Sequence, residues 1–240
     1  MLNLDTFGDS RAPDGSSVAE NFALWFGTSH AKGKDGTPLV LFRGDKNSVD
    51  VFGRNERRET GLFLALEKDR AAVYGPARPY YLRMENPLDL RDTYGQWMKG
   101  GVVKDIVDVL FNEHYKGDHC PESGEPYELS NVIDGIEGGY LWKMDHTGGF
   151  YMRAWRDLQV EVEGHGYDGL IIHDTGEGLG VGTSYVVFQQ EQIKSADRNL
   201  GYFSFDNPSS TDNPEVLRAM RAKALFVSDE KQALTSRMSL

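Results

Sequence analysis

The chain has 240 residues, with 37 acidic and 26 basic side chains, so its formal net charge at neutral pH is −11. A surface that neutralises nucleic-acid phosphates is normally basic, and this charge therefore argues against a nucleic-acid partner. Hydrophobic residues make up 39% of the chain and aromatic residues 11%. This hydrophobic content is higher than that of intrinsically disordered proteins and predicts a folded globular protein.

The single cysteine, Cys120, excludes an internal disulfide framework and a paired-cysteine metal site. The six histidines lack the short paired spacing of a zinc site, so no metal is expected. No run approaches the ~20 apolar residues that span a bilayer, and residues 1–15 lack the apolar stretch of an export signal. We therefore expect no membrane partner. We expect a cytoplasmic location in the producing cell, or delivery into a host cytosol by a specialised secretion system.

The predicted elements begin with a flexible lead over 1–16, rich in Asp, Ser, Gly and Pro. Ser17 is a good helix N-cap. The apolar residues that follow it recur every three to four positions, which predicts a helix that ends at residue 26. Short apolar runs predict strands, and the segment 96–164 carries stripes with the helical period. The predicted strands lie at 38–42, 61–65, 80–84, 167–172 and 185–188, with a short helix at 67–74 and a basic helix at 214–227.

The order of these elements is β at both ends with helices between, which predicts an α+β fold in one domain over 17–208. The helical insert is expected at about 96–164, and a C-terminal helix and tail at 209–240. A glycine-rich run at 175–182 departs from the dinucleotide-binding pattern, because Val181 stands where that pattern needs glycine and a strand follows it. A flexible loop between two strands is the better interpretation of this run.

Five blocks of the sequence, in the same order, resemble the ADP-ribosyltransferase family of phage and bacterial polyvalent proteins, which is similar to the diphtheria-toxin and poly(ADP-ribose) polymerase class. One block begins at Trp25-Phe26-Gly27 and ends at Arg43-Gly44-Asp45, and a second runs from Gly61 to Tyr74. The others cover 80–88, 167–171 and 184–196. The resemblance implies split antiparallel β-sheets around a cleft for NAD, used as co-substrate, with the helical insert outside the family core.

The resemblance also implies the site residues. Gly44 would give backbone contacts to the nicotinamide carboxamide, Tyr74 would stack on its ring, and Phe63, eleven residues before Tyr74, would close the other side. The remaining NAD-binding positions implied are Phe42, Arg43, Asp45 and Ala65. Arg54, Arg57 and Arg58 on the next loop would add a local positive field for a pyrophosphate.

Two positions depart from the family pattern. Arg43 stands where the family has a histidine that contacts the ribose, and a guanidinium suits phosphate or ribose binding. Ser184 aligns with the catalytic glutamate, and a hydroxyl cannot stabilise a cation by its charge. Glu191, Glu177 and Asp174 are candidate replacement acids. Alternatively the chain is an inactive relative, or the glutamate was deliberately changed.

These positions predict an NAD-dependent mono-ADP-ribosyltransferase, with Arg43, Ser184 and Glu191 as its catalytic residues. The expected partner is a protein acceptor, because the glycine-rich run suits a macromolecular surface better than a tight small-molecule pocket. A phage or bacterial effector that modifies a host protein such as ubiquitin fits this interpretation. The alternatives are a non-catalytic interaction module that kept the fold, and an NAD glycohydrolase in which water replaces the acceptor.

Overall fold

A computed structural model of the chain describes residues 2–45, 61–120, 123–138, 153–176, 179–216 and 218. Three of the sequence-predicted basic residues, Arg54, Arg57 and Arg58, lie outside this part of the chain, as does the candidate acid Glu177.

The first helix, α1 (Val18–Phe26), begins where the sequence predicts it. The Ser17 side chain accepts a hydrogen bond from the Glu20 backbone amide at 3.3 Å, which satisfies one of the free donors of the first turn. The three-to-four spacing buries one side of the helix against Tyr81 and Phe203. The buried residues of α1 are Val18, Phe22, Trp25 and Phe26.

Residues before α1 pack on the same cluster, although the sequence predicts a flexible lead over 1–16. The ring centroids of Phe7 and Phe22 are 4.6 Å apart, and Leu2 and Leu4 also contact the cluster. The Asp, Ser and Gly content suggests a mobile segment, but these three apolar side chains anchor it to the folded body.

Seven strands form one sheet in the order β4-β5-β6-β2-β1-β3-β7. The strands are β1 (Leu41–Gly44), β2 (Leu62–Ala65), β3 (Ala77–Leu82), β4 (Pro87–Asp89), β5 (Gly169–Gly176), β6 (Gly180–Val187) and β7 (Ile193–Ser195). Neighbouring strands are antiparallel except for the parallel pair β4 and β5. Within the described residues, β1 and β2 are joined through one Cα pair, Phe42 and Ala65. The sheet is therefore continuous, with β4, β5, β6 and β2 on one side of this pair and β1, β3 and β7 on the other.

The helical segment covers one face of the sheet. It contains α3 (Thr93–Lys99), α4 (Val102–Leu110) with a π-helical extension (Phe111–Tyr115), α5 (Leu129–Glu137) and α6 (Arg153–Gly164). Their apolar stripes pack on Leu170, Ile172 and Val186 of β5 and β6. Alternate residues of a strand share a face, so Leu64, Tyr185 and Val187 point to the opposite face and pack with Leu41 and Tyr80. The sheet thus has an apolar core on each side.

Five of the six described residues of the glycine-rich run lie in strands, although the sequence predicts a loop over 175–182. The antiparallel register of β5 and β6 continues through Thr175 opposite Val181 to Gly176 opposite Gly180. Gly180 has φ +67°, which suits the turn of this hairpin. Glycine carries no side chain and so hides the alternating pattern of a strand, whereas backbone pairing with β5 needs no side chain.

The folded body continues beyond residue 208, where the sequence predicts its end. Lys194 of β7 is fully buried, and its Nζ lies 2.5 Å from Asp212 Oδ1 and 2.7 Å from the carbonyl oxygen of Asn207. Ser209 and Ser210 are also fully buried.

The short helix α2 (Lys68–Ala72) lies between β2 and β3. Of the basic helix predicted at 214–227, residues 214–216 and 218 are helical and the rest lies outside the described part.

Among the helices within these ranges, none combines the length and the apolar character needed to cross a bilayer. The described side chains also include no group of three or more His, Cys, Asp or Glu residues placed to hold a metal ion.

Candidate functional site

The candidate site lies on the face of the sheet where β1, β2, β6 and β5 run side by side. Phe42 lies opposite Ala65, Ala65 opposite Ser184, and Ser184 opposite Ile172. Residues directly opposite in neighbouring strands have their side chains on the same face. The structure therefore brings three of the sequence-predicted positions, Phe42, Ala65 and Ser184, into one row across β1, β2 and β6.

Arg43 links β1 to β2 from the other face of the sheet, because it directly follows Phe42 in β1 and successive side chains of a strand point to opposite faces. Its Nε lies 2.9 Å from Asp45 Oδ2, and its Nη1 donates a hydrogen bond of 3.1 Å to the carbonyl oxygen of Phe63 on β2. The Arg43 side chain is 23% exposed. The structure thus places the predicted residues Arg43 and Asp45 together, with a cationic group that can reach an anionic ligand.

Gly44 lies directly under α2. A Cβ atom at this position would be 1.8 Å from the carbonyl oxygen of Ala71 and 3.0 Å from that of Gly75. No other residue type leaves room for the helix backbone here. The packing of α2 on β1 is therefore a structural reason for this glycine, beside its predicted contact with the carboxamide of NAD.

The two predicted aromatic residues have different surroundings. The Phe63 ring meets the Trp155 ring of α6 edge-on at a centroid distance of 5.6 Å, and it packs against the core under the helices. Tyr74, two residues beyond α2, is 62% exposed. The Tyr74 ring is accessible to a ligand, whereas Phe63 already contributes to the core.

A carboxylate adjoins the position of the family glutamate. Ser184 is 1% exposed, and its hydroxyl donates a hydrogen bond of 2.8 Å to Asp174 Oδ2 on β5. Asp174 is two residues beyond Ile172, the direct partner of Ser184, and so it is the diagonal neighbour on the same face. Of the two proposed acids that the structure describes, Asp174 and Glu191, it is Asp174 that contacts Ser184.

Glu191, the catalytic acid predicted from the sequence, lies away from this pair. It belongs to a short 3-10 turn (Gln190–Gln192) that follows the end of β6, whereas Asp174 lies at the hairpin end of the same strand pair. The Glu191 carbonyl accepts a hydrogen bond from Trp25 Nε1 at 3.1 Å, and the Gln192 amide donates to the carbonyl oxygen of Arg83. These contacts fix the turn at the end of the β5–β6 strand pair that is opposite to the hairpin.

Arg70 of α2 is a residue of the site that the sequence analysis missed. Its side chain is only 4% exposed, and Nη2 donates hydrogen bonds to the carbonyl oxygens of Leu179 at 3.3 Å and Gly180 at 3.0 Å. Nη1 lies 3.9 Å from Asp174 Oδ1, and Nε lies 3.6 Å from Glu67 Oε2. In the sequence this residue is one charge among several on a short polar helix, so no local signal marks it as buried.

A cavity of about 470 Å³ lies near the outer edge of the sheet. It is lined by Asp89, Arg91, Asp92, Gln96 and His173. Burial alone would raise the pKa of the Asp89 carboxyl, but hydrogen bonds from the Arg91 guanidinium and backbone amide outweigh burial and lower this pKa. His173 directly precedes Asp174 in β5 and so belongs to the opposite face of the sheet. The cavity is thus separate from the Ser184–Asp174 pair.

Comparison with known proteins identifies a family model that matches this chain. The family model described as "ADP-Ribosyltransferase in polyvalent proteins" matches residues 33–203. No curated protein matches this chain. Among solved structures, the "Crystal structure of an anti-CRISPR protein" is similar at 19% sequence identity and a TM-score of 0.36, over 62% of this chain and 88% of the other. A likeness at that TM-score is too weak to bear on fold or function.

Proposed function

The chain belongs to the ADP-ribosyltransferases of polyvalent proteins, and from that membership we propose that it transfers the ADP-ribose group of NAD to a protein acceptor. ADP-ribosyltransferase activity is the activity of the family, and NAD is the substrate that such enzymes use. What needs an argument is the catalytic acid, because Ser184 stands where the family has a glutamate.

The observation that carries the proposal is the hydrogen bond between Ser184 and Asp174. Cleavage of the bond between nicotinamide and ribose leaves the bonding electron pair on nicotinamide and positive charge on the ribose carbon, as in glycoside cleavage. A fixed carboxylate stabilises that charge. The Asp174 side chain is 24% exposed, so the carboxylate remains open to a ligand. Asp174 would therefore take the role of the glutamate, with Ser184 holding it in place.

Other residues of the site support NAD binding by their chemistry. The guanidinium of Arg43, whose side chain is partly exposed, suits a phosphate or ribose oxygen. The exposed ring of Tyr74 suits stacking on nicotinamide. As nicotinamide leaves with the bonding electron pair, the acceptor attacks the ribose carbon. The acceptor releases its own proton to solvent, which balances the reaction.

Exposed apolar side chains on the hairpin and beside α2 support a protein as the acceptor. Leu179 is 41% exposed, Val181 67% and Tyr74 62%. Apolar side chains of this kind favour contact with another protein surface. The proposal includes a phage or bacterial effector role, with a host protein such as ubiquitin as a candidate target.

A non-catalytic interaction module is the second candidate function, and Ser184 in place of the family glutamate is the observation that favours it. Such a protein would keep the fold and the exposed apolar residues of the hairpin, and it would neither release nicotinamide nor label a protein.

The test is incubation of the protein with cell lysate and NAD labelled in its ADP-ribose part. Protein-bound label and free nicotinamide are both measured. We expect labelled protein bands, and a loss of about 10²–10³-fold in rate for Asp174→Asn, because the amide removes the negative charge and keeps the shape. Glu191→Gln is the matched variant and should keep the rate.

Each other outcome selects a different function. Nicotinamide release without labelled protein would indicate an NAD glycohydrolase. The absence of both products would overturn the enzymatic proposal and favour the interaction module. An active Asp174→Asn variant beside an inactive Glu191→Gln variant would overturn the assignment of the acid.

A further inference from the structure

We infer that Arg70 is a positioning residue that fixes the β5–β6 hairpin and, through it, the Asp174 carboxylate; the catalytic part of this inference rests on the proposed function. Arg70 belongs to a short helix between β2 and β3, more than a hundred residues before the hairpin residues that it contacts. Its guanidinium donates hydrogen bonds to the backbone of that hairpin at Leu179 and Gly180.

The burial of Arg70 needs a compensating interaction, because a guanidinium loses its hydration when its side chain is 4% exposed. Two carbonyl oxygens of the hairpin, those of Leu179 and Gly180, accept hydrogen bonds from Nη2. Among the described residues, Nε and Nη1 have no hydrogen-bond partner, but each lies within 4 Å of a carboxylate, that of Glu67 or Asp174. The guanidinium is thus held between the hairpin backbone and two acidic side chains.

The glycine at position 182 leaves the space that the guanidinium occupies. A Cβ atom on Gly182 would be 2.3 Å from Arg70 Nε and 2.6 Å from Arg70 Cζ. Gly182 lies opposite Asp174 in the register of the hairpin, so the guanidinium crosses the strand backbone beside that carboxylate. Part of the glycine content of the run 175–182 therefore has a packing role, namely the accommodation of Arg70.

The contacts of Asp174 show how Arg70 would act on the reaction. One carboxylate oxygen, Oδ1, faces Arg70 Nη1 at 3.9 Å, and the other, Oδ2, accepts the Ser184 hydroxyl at 2.8 Å. A carboxylate held from both sides keeps one orientation, and an orientation fixed before the reaction lowers the barrier more than a mobile charge does. Arg70 acts through Asp174 and needs no contact with the substrate.

Two variants test the inference by different routes. Arg70→Met removes the charge and keeps the length of the side chain, whereas Gly182→Ala keeps the charge and fills the space of the guanidinium. Lys68→Met makes the same chemical change on an exposed residue of the same helix and is the control. Arg70→Lys serves if Arg70→Met fails to fold, because a single ammonium group cannot reproduce the planar fork of arginine.

The first measurement is hydrogen exchange of the amides in β5 and β6, which needs no activity. We expect exchange near the hairpin turn to rise about tenfold or more in Arg70→Met and Gly182→Ala, and to stay unchanged in Lys68→Met. Unchanged exchange in both test variants would overturn the inference.

The second measurement is a double-mutant cycle on the transfer rate, with Arg70→Met made in the wild-type protein and in Asp174→Asn. We expect kcat to fall in the wild-type background, with little change in KM for NAD, and to fall no further in the Asp174→Asn background. An equal fall in both backgrounds would show that Arg70 does not act through Asp174. A wild-type protein without transferase activity would overturn the proposed function and the catalytic part of the inference, while hydrogen exchange would still decide whether Arg70 holds the hairpin.

Discussion

At the scale of single residues, the carboxylate beside Ser184 comes from the neighbouring strand β5. Asp174 accepts the Ser184 hydroxyl through a hydrogen bond of 2.8 Å, whereas the resemblance to the family implies a glutamate at the Ser184 position of β6. An exchange of this kind is possible because a diagonal neighbour in an antiparallel pair lies within reach of a polar side chain. Arg70, buried beside Asp174, completes the local charge arrangement.

Gly44 gives a prediction at the same scale. Gly44→Ala should destabilise the protein by about 1–3 kcal/mol, because the new methyl group would overlap the carbonyl oxygen of Ala71 and force α2 away from β1. The free energy of unfolding from urea denaturation measures this effect. Gly164→Ala is the control, since a Cβ at Gly164 meets no atom within 4 Å, and this variant should be neutral or slightly more stable. Equal stabilities of the two variants would contradict the packing explanation.

At the scale of secondary-structure elements, the local sequence sets the helices more firmly than the strands. α1 begins at its predicted cap because the Ser17 hydrogen bond and the apolar stripe are both local. The first predicted strand, 38–42, moves to β1 (Leu41–Gly44), since its limits depend on pairing with β3. Pro38 forms only an isolated bridge with Lys32. The glycine-rich run becomes strand for the same reason, namely pairing with a partner.

The cap of α1 is the element that we would test. Ser17→Ala should lower the free energy of unfolding by about 1 kcal/mol, because the Glu20 amide loses its acceptor. Ser17→Asp should keep most of the stability, since a carboxylate also accepts at an N-cap and interacts favourably with the helix dipole. Thermal denaturation of the three proteins measures the effect, and a Ser17→Asp variant as unstable as Ser17→Ala would argue against capping as its cause.

At the scale of the whole molecule, contacts between distant segments close the fold around the sheet. Phe203 packs on α1, and the segment after it returns to β7 through the buried pair of Lys194 and Asp212. Burial lowers the pKa of the Lys194 ammonium, while its interaction with the Asp212 carboxylate acts in the opposite direction. These contacts explain why the folded body includes residues on both sides of the predicted domain limits.

Breaking the buried ion pair of Lys194 and Asp212 should strongly destabilise the folded protein. Asp212→Ala leaves the Lys194 ammonium buried without its carboxylate, and we expect a loss of about 3–5 kcal/mol in the free energy of unfolding. Glu215→Ala, which removes an ion pair with Arg218 in which both side chains are more than 70% exposed, should change stability very little. Chemical denaturation measures the free energy of unfolding of both variants. Similar losses would show that the ion pair of Lys194 and Asp212 does not stabilise the folded protein.

The sequence by itself determined the α+β order, the capped helix α1, the helical character of the segment after β4 and, through five ordered blocks, the family. These features follow from short-range periodicity and from motifs that are continuous in the chain. The tertiary structure decided which acid meets Ser184, why Gly44 and Gly182 carry no side chain, and that Glu191 lies at the other end of the sheet. It also decided that Arg70 is buried. Arg70 and Asp174 are far apart in sequence, and only the pairing of strands and the packing of α2 bring them together.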